Sequence, residues 1–234
     1  MSENKDLLAA SILETIRLMA AHHGLWFAET VHQHGIEQAL KAEEHAGGLV
    51  SEMALKRLGH QGNPFATLDE AQLAALRETL AKLWLGMDGV WFQAVESLEG
   101  MDAAKRVNDT CWARFAPLEA RRWSALLKLV PGGGLDALEA ALRMRFGSIV
   151  NEVAFEREPE ALVLRTVTCR VQAARRRKGL ADYPCRSAGV TEYSGFARFV
   201  DPRIRCECIA CPPDPIPQDT YCSWRFRLVS DTKD

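Results

Sequence analysis

The sequence predicts an α+β fold, in which a duplicated N-terminal helical unit is followed by a C-terminal four-stranded antiparallel sheet with crossover helices. Apolar residues recur at helical spacing through residues 1–130, and they alternate at strand spacing in several runs of residues 135–234. A Pro-Gly-Gly-Gly break at residues 131–134 separates the two patterns. We expect the two regions to pack together as one globular unit.

The helical region contains an internal repeat. Gly-Leu-Trp-Phe at residues 24–27 recurs as Gly-Val-Trp-Phe at residues 89–92, which is an offset of 65. Paired positions at the same offset continue beyond these motifs. We therefore expect two copies of one helical unit, over about residues 1–65 and 66–130.

Each copy also carries signals for where its helices begin and end. Gly35 and Gly100 are separated by the same 65 residues, and each suits the left-handed cap between two helices. Residues 67–70 read Thr-Leu-Asp-Glu, which is the pattern of a capping box that opens a helix. The repeat is therefore predicted to be a pair of helical hairpins.

The aromatic residues of the repeat have three alternative roles. Trp26, Phe27, Trp91 and Phe92 would line a ligand pocket, or they would pack the seam between the two copies as core. A third alternative is an exposed dimerisation surface, which would make the protein a homodimer. The sequence does not show which face of each helix is exposed.

Composition and charge exclude several classes of function. The chain of 234 residues is 47% apolar and 26% charged, with a formal net charge of −2. This balance indicates a globular protein and gives no sign of nucleic-acid or anionic membrane partners. The N-terminus lacks the pattern of a signal peptide, and no run of eighteen apolar residues occurs. We expect a cytoplasmic protein.

The C-terminal region is rich in cysteine. Reduced thiols that lie close together in the cytoplasm more often serve metal binding or catalysis than disulfide formation. Six of the seven cysteines of the chain lie within this region, namely Cys169, Cys185, Cys206, Cys208, Cys211 and Cys222.

Alternation places several of these thiols on strands. Strands are predicted over residues 149–157, 161–171, 203–211 and 221–229. Because strand side chains alternate between the two faces, each strand presents its cysteines to one side. The predicted inward residues are Cys169, Cys206, Cys208 and Cys222.

A metal site is one consequence of that placement. We expect Cys169, Cys185, Cys208 and Cys222 to converge as ligands of zinc or of an iron–sulfur cluster. Cys206 and Cys211 are alternative ligands. A different explanation is that the cysteines are small apolar core residues.

A catalytic alternative involves the segment around Cys185. This residue precedes a predicted helix, whose dipole would favour a thiolate. Cys185 would then be the nucleophile, Glu192 the general base, and Arg170 or Arg203 the anchor for a substrate carboxylate. Glu192 is otherwise a surface acid, and the two arginines are otherwise partners of structural ion pairs, with Asp201 as one acid.

Several motifs along the chain are distinctive, namely Gly-Leu-Trp-Phe at 24–27, Cys-Arg-Val-Gln at 169–172, Asp-Pro-Arg-Ile at 201–204, Cys-Ile-Ala-Cys-Pro-Pro-Asp at 208–214 and Cys-Ser-Trp-Arg-Phe at 222–226. In these motifs the chain resembles an uncharacterised prokaryotic family of cytosolic proteins. The C-terminal half is also distantly similar to the L-2-amino-thiazoline-4-carboxylic acid hydrolase family and to 4-vinyl-reductase-type ligand-binding domains. The resemblance implies an α+β domain with an antiparallel sheet around a ligand pocket, often dimeric.

Three functions follow from these observations. The first is a small-molecule-binding protein with a cysteine-lined metal site. The second is a hydrolase of a small cyclic or amide substrate, similar to the thiazoline-carboxylate hydrolases. The third is a structural or dimerisation protein whose cysteines fill its core.

Overall fold

The computed structural model describes residues 4–217 and 219–229. The chain divides into two compact units, Met1–Pro64 and Phe65–Asp234. The second unit contains the second copy of the repeat together with the cysteine-rich region, and we describe each unit separately.

The first unit is a helical hairpin. Helix α1 spans Lys5–His34 and helix α2 spans Ile36–Arg57. The Asn4 side chain accepts a hydrogen bond from the backbone N–H of Asp6 and caps the start of α1. Gly35 separates the helices at φ 80°, a conformation that costs a glycine little because it has no Cβ.

The second unit opens with the equivalent hairpin. After a short 3₁₀ turn, helix α3 spans Glu70–Glu99 and helix α4 spans Met101–Leu127. Gly100 joins them at φ 83°. Both ends of α3 and the start of α4 lie 65 residues after their counterparts in the first unit. The predicted duplication of the helical unit is confirmed.

The capping box of α3 lies two residues further along the chain than predicted. Asp69 accepts a hydrogen bond from the backbone N–H of Gln72 at 2.8 Å, and the Gln72 side chain accepts one from the backbone N–H of Asp69 at 3.0 Å. Aspartate and glutamine form this reciprocal pair as well as threonine and glutamate do, and both patterns occur in overlapping positions here.

The rest of the second unit is α+β, as predicted. Its four strands form one antiparallel sheet in the order β1-β2-β4-β3, and two helices connect β2 to β3. The elements in chain order are α5 Gly134–Met144, α6 Phe146–Val150, β1 Val153–Glu158, β2 Ala161–Thr166, α7 Arg170–Arg177, α8 Arg186–Val200, β3 Ile204–Ala210 and β4 Cys222–Leu228.

The predicted strand over residues 161–171 is wrong in its second half. Strand β2 ends at Thr166, and Cys169 is already the N-cap of α7. The backbone N–H groups of Val167 and Thr168 both donate to the carbonyl of Glu152, which turns the chain away from the sheet. The sequence alternation continues past the last ladder pair, so periodicity alone does not show where β2 ends.

The two faces of the sheet differ in chemistry. Pairing in register puts Leu164, Trp224 and Cys208 on one face, which packs against helices. The opposite face carries ion pairs between neighbouring strands, such as Arg165 of β2 with Glu156 of β1. The predicted strand over residues 161–171 was expected to turn the face of Cys169 inward. In β2 the opposite set of side chains, Leu162, Leu164 and Thr166, faces the helices, so the predicted inward face is wrong.

Helix α8 lies between the sheet and α4. A Cβ on Gly189 would lie 2.4 Å from the Trp224 ring, so only glycine allows α8 to approach the sheet this closely. On its other side, a Cβ on Gly195 would contact Ala116 of α4 at 3.6 Å. Small residues thus hold α4, α8 and the sheet together as consecutive layers.

No helix in the described part of the chain is long and apolar enough to cross a membrane.

Candidate functional site

A cavity of about 760 Å³ lies inside the second unit. Its walls come from α3, α4, α7, α8 and the helix-covered face of the sheet. This volume is within the range of pockets that bind small molecules. Six aromatic side chains line it, namely Trp84, Phe92, Trp112, Tyr183, Tyr193 and Trp224.

The aromatic wall is built mainly by α3 and α4. Trp84 and Phe92 are eight residues apart on α3 and therefore share a helix face. The Trp84 ring meets the Trp112 ring of α4 edge to face, with centroids 5.9 Å apart. Phe92 meets Tyr183 in the same way at 5.0 Å. These contacts fix the rings as a rigid apolar surface.

Four thiols line another part of the cavity. Cys169 is the N-cap of α7 and Cys185 is the N-cap of α8. Cys211 directly follows β3, and Cys222 begins β4. Each thiol therefore sits at the end of a different element, and the fold brings these four ends to one cavity.

A buried glutamine fixes the loop that carries Cys185. The Gln172 side chain donates to the Tyr183 carbonyl at 2.8 Å and accepts from the Tyr183 backbone N–H at 2.9 Å. Its Nε2 also lies 3.2 Å from the sulfur of Cys185. The Cys185 thiol in turn donates to the Tyr183 carbonyl at 3.2 Å. The loop is thus held on both sides of Pro184.

The thiols differ in acidity. A hydrogen bond from the Cys211 thiol lowers the pKa of Cys222 to about 7, and the pKa of Cys211 is raised because its proton is held between Cys185 and Cys222. Burial raises the pKa of Cys169 to about 11. At neutral pH, Cys222 is therefore the cavity thiol with marked thiolate character.

A buried ion network forms the floor of the cavity. Arg145 donates to Glu119 at 2.8 Å and to Glu192 at 2.6 Å. Its guanidinium also lies 5.2 Å from the ring of Tyr193 and 4.8 Å from that of Phe196. Burial raises the pKa of Glu192, and Arg145 opposes this shift. Two carboxyl groups share one cation here, and burial of Glu192 favours its neutral form.

A further acid lies on the aromatic wall. Asp88 is one helical turn from both Trp84 and Phe92, and it lines the cavity with them. Burial raises the pKa of its carboxyl group. Across the described residues, it makes no hydrogen bond and no ion pair.

The structure places the predicted pocket residues apart. Phe92 lines the cavity, whereas Trp91 is 69% exposed. Trp26 is 67% exposed and Phe27 is half-buried, and both belong to the first unit.

The predicted catalytic residues are only partly brought together. Cys185, Glu192 and Arg170 all line the cavity. Arg170 also donates to the Val150 carbonyl at 2.6 Å. Arg203 lies elsewhere and binds Asp201 through two hydrogen bonds of 3.0 and 2.7 Å.

The predicted metal ligands are also divided. Cys169, Cys185 and Cys222 line the cavity with Cys211, whereas Cys206 and Cys208 lie on β3 outside the lining. Across residues 4–217 and 219–229, no three His, Cys, Asp or Glu side chains are arranged to hold a metal ion. The expectation of zinc or an iron–sulfur cluster stays a prediction.

Sequence reasoning missed several residues of the site, among them Asp88, Arg145 and Tyr193. Asp88 was detectable, because an acid one turn from two aromatics interrupts an apolar helix face. Arg145 and Tyr193 gave no comparable signal, since their partners come from distant parts of the chain.

The fold and cavity define an α+β protein with an internal, aromatic- and thiol-lined pocket. Residues 66–228 match a family model described as "Family of unknown function (DUF6125)", and the chain belongs to this family. The match covers the second unit from α3 to the end of β4. No curated protein and no solved structure matches the chain significantly. The similarity to thiazoline-carboxylate hydrolases and to vinyl-reductase-type domains stays a prediction.

Proposed function

We propose that the protein binds a small organic molecule in the cavity of its second unit. The observation that supports this most strongly is the combination of a cavity of about 760 Å³, open to solvent at one side, with six lining aromatic rings. A concave space of this size with access from solvent is typical of small-molecule sites. Most of the lining surface is apolar. The charged residues of the lining are Lys82, Asp88, Arg145, Arg170, Arg175, Arg177, Lys178 and Glu192.

The thiols give this cavity a chemical character of its own. Cys169, Cys185, Cys211 and Cys222 all face the space that the ligand would occupy. A ligand with an electrophilic or soft group would interact with them more strongly than a hydrocarbon of equal size. We therefore propose a cysteine-lined binding site and keep a bound metal as a separate hypothesis, to be checked by elemental analysis.

The hydrolase hypothesis has less support. Cys185, Glu192 and Arg170 do share the cavity, but Glu192 is bound to Arg145 at 2.6 Å. A general base needs a free lone pair that can accept a proton from the substrate. Glu192 would first have to leave Arg145, so binding without turnover is the better-supported function.

A neutral fluorescent probe tests the binding proposal. N-phenyl-1-naphthylamine is small enough for the cavity and emits brightly only in apolar surroundings. We expect saturable binding with one site per chain. The absence of a saturable site would overturn the proposal.

A matched pair of variants locates that site. A Cβ on Gly89 has no neighbour closer than the Gln93 amide nitrogen at 4.0 Å, and Gly89 lines the cavity. Gly89→Trp places a large ring in the space and should weaken probe binding at least tenfold. Gly24→Trp changes the equivalent position of the first copy, which is equally open, and should leave the affinity unchanged. Equal loss in both variants would place the probe elsewhere.

Self-association is a second candidate function, and a specific observation favours it. Trp26 and Trp91 occupy equivalent positions of the repeat, and both are more than two-thirds exposed. Trp26 lies on α1 with other exposed large apolar side chains, such as Met19 and Leu25, and contiguous exposed apolar surface marks interaction sites. The occupant we propose is a second copy of this chain, since an apolar patch is self-complementary without charge matching.

Sedimentation equilibrium tests this second candidate. The wild-type chain should form dimers, and Trp26→Ser or Trp91→Ser should shift the equilibrium toward monomers. A concentration-independent monomer mass for the wild-type chain would refute it. Circular dichroism of each variant checks that the helices are retained.

A further inference from the structure

Asp88, the acidic residue on the aromatic wall, restricts the chemical class of ligand that suits the cavity. Trp84, Asp88 and Phe92 follow one another at intervals of four residues on α3 and all line the cavity. The stripe is therefore aromatic, acidic, aromatic along a single helix face. A carboxylate between two rings is a poor neighbour for an apolar ligand, because its desolvation is uncompensated.

Asp88 has no partner of its own within the part of the chain that the structure describes. The basic residues of the lining bind other groups or are exposed at its edge. Lys82 binds Glu78 at 2.6 Å and Arg175 pairs with Glu96 at 3.3 Å. Lys178 donates to the Gln93 side chain at 2.9 Å, and Arg177 is exposed. Among the described residues, none of these side chains pairs with Asp88.

The cavity floor places a second acid near Asp88. Arg145 is the one cation bound to both Glu119 and Glu192. Asp88 and Glu192 interact electrostatically, because Asp88 helps to raise the pKa of Glu192. A bound cation would stabilise the ionised form of both acids.

The aromatic rings around Asp88 also suit a cationic ligand. Trp84 and Trp112 meet edge to face, as do Phe92 and Tyr183, so two ring pairs flank the acid. Aromatic faces attract ammonium groups through their quadrupoles. The protein already uses this arrangement elsewhere, since Arg145 lies against the rings of Tyr193 and Phe196.

We propose that the ligand of this cavity carries an organic ammonium group, which Asp88 binds between the aromatic side chains of α3 and α4. This inference rests on the proposed small-molecule binding. The ammonium end would lie at Asp88, and the remainder of the molecule would extend toward the thiols. The site thereby selects amines over neutral molecules of the same shape.

Two probes of nearly equal shape test the charge preference directly. Isothermal titration at pH 7 compares 2-phenylethylammonium with 2-phenylethanol, which differ chiefly in the charged group. The wild-type chain should bind the ammonium at least tenfold more tightly. Asp88→Asn keeps the size of the side chain and should remove most of this preference. Asp102→Asn, at an exposed position outside the cavity, should retain it.

The outcomes separate this inference from the proposed function. Equal affinity for the two probes, failure of both to bind, or a preference that survives Asp88→Asn would each overturn the ammonium site. Binding of N-phenyl-1-naphthylamine decides the proposed function independently, because that probe is neutral. Circular dichroism and the urea unfolding midpoint of Asp88→Asn, compared with those of the wild-type chain, show whether the variant is folded.

Discussion

Selective alkylation of Cys222 is the sharpest test of the thiol wall. Cys222 and Cys169 line the same cavity, so a small reagent that enters it has access to both. Their pKa values of about 7 and about 11 differ because Cys222 accepts a hydrogen bond from Cys211, whereas Cys169 is mainly desolvated. A comparison of the alkylation rates of Cys222 and Cys169 therefore reports the difference in thiol acidity, because the reagent reaches both thiols through the same cavity.

The size of the effect follows from the thiolate fractions. At pH 7 about half of Cys222 and about one in 10,000 of Cys169 are ionised, which is a ratio of about 5,000. The more basic thiolate is intrinsically more nucleophilic, by about 50-fold over four pKa units. The two factors together predict that Cys222 reacts on the order of 100 times faster.

Iodoacetamide labelling followed by peptide mass spectrometry measures both rates in one sample. The rate at Cys222 should rise about tenfold per pH unit below pH 7 and level off above it. Cys211→Ala removes the donor and should slow Cys222 about threefold at pH 7. Cys206→Ala, outside the cavity, should change nothing. Cys169 reacting as fast as Cys222 at pH 7 would refute the proposed hydrogen-bonded thiolate.

Three further predictions concern stability. Hydrogen bonds from Arg203 hold the pKa of Asp201 at about 2, below its ordinary value of 3.8. The stabilisation of the fold by ionised Asp201 is therefore present above about pH 4 and is lost as the pH falls through 2. Asp201→Asn should thus cost about 2 kcal/mol in urea unfolding at pH 7 and little at pH 2; equal losses would contradict this. Gly189→Ala forces a Cβ against Trp224 and should cost about 1–3 kcal/mol with altered tryptophan emission, whereas Gly86→Ala, with open space around it, should not destabilise. Arg145→Met leaves two buried carboxylates unpaired and should lower unfolding free energy by about 3–5 kcal/mol at pH 7, with partial recovery at pH 4; no change in the urea midpoint would show that the network contributes nothing.

The architecture was predictable because local and repeated patterns in the sequence indicate it. The offset of 65 residues between the two Trp-Phe motifs anticipates the matching bounds of α1 and α3. The alternation around Trp224 and Phe226 likewise identifies β4 and its buried face. Both signals depend on periodicity, which the chain displays directly.

The candidate site was less predictable because it depends on where elements end. Strand parity alone favoured Cys208 over Cys211, but Cys211 lies just beyond β3, where parity no longer applies. Cys169 joins the cavity as a helix cap rather than as a strand residue. The pairing of Arg145 with Glu119 and Glu192 spans 26 and 47 residues, and no spacing rule indicates such contacts.

The aromatic–acid–aromatic stripe of α3 has a counterpart in the first unit. Sixty-five residues earlier, the positions of Trp84, Asp88 and Phe92 are held by Met19, His23 and Phe27. The duplication has kept a large side chain at both outer positions and changed the central one from an acid to an imidazole. The two copies therefore present different chemistry at the centre of the same helical stripe, with a carboxyl group in the second unit and an imidazole in the first.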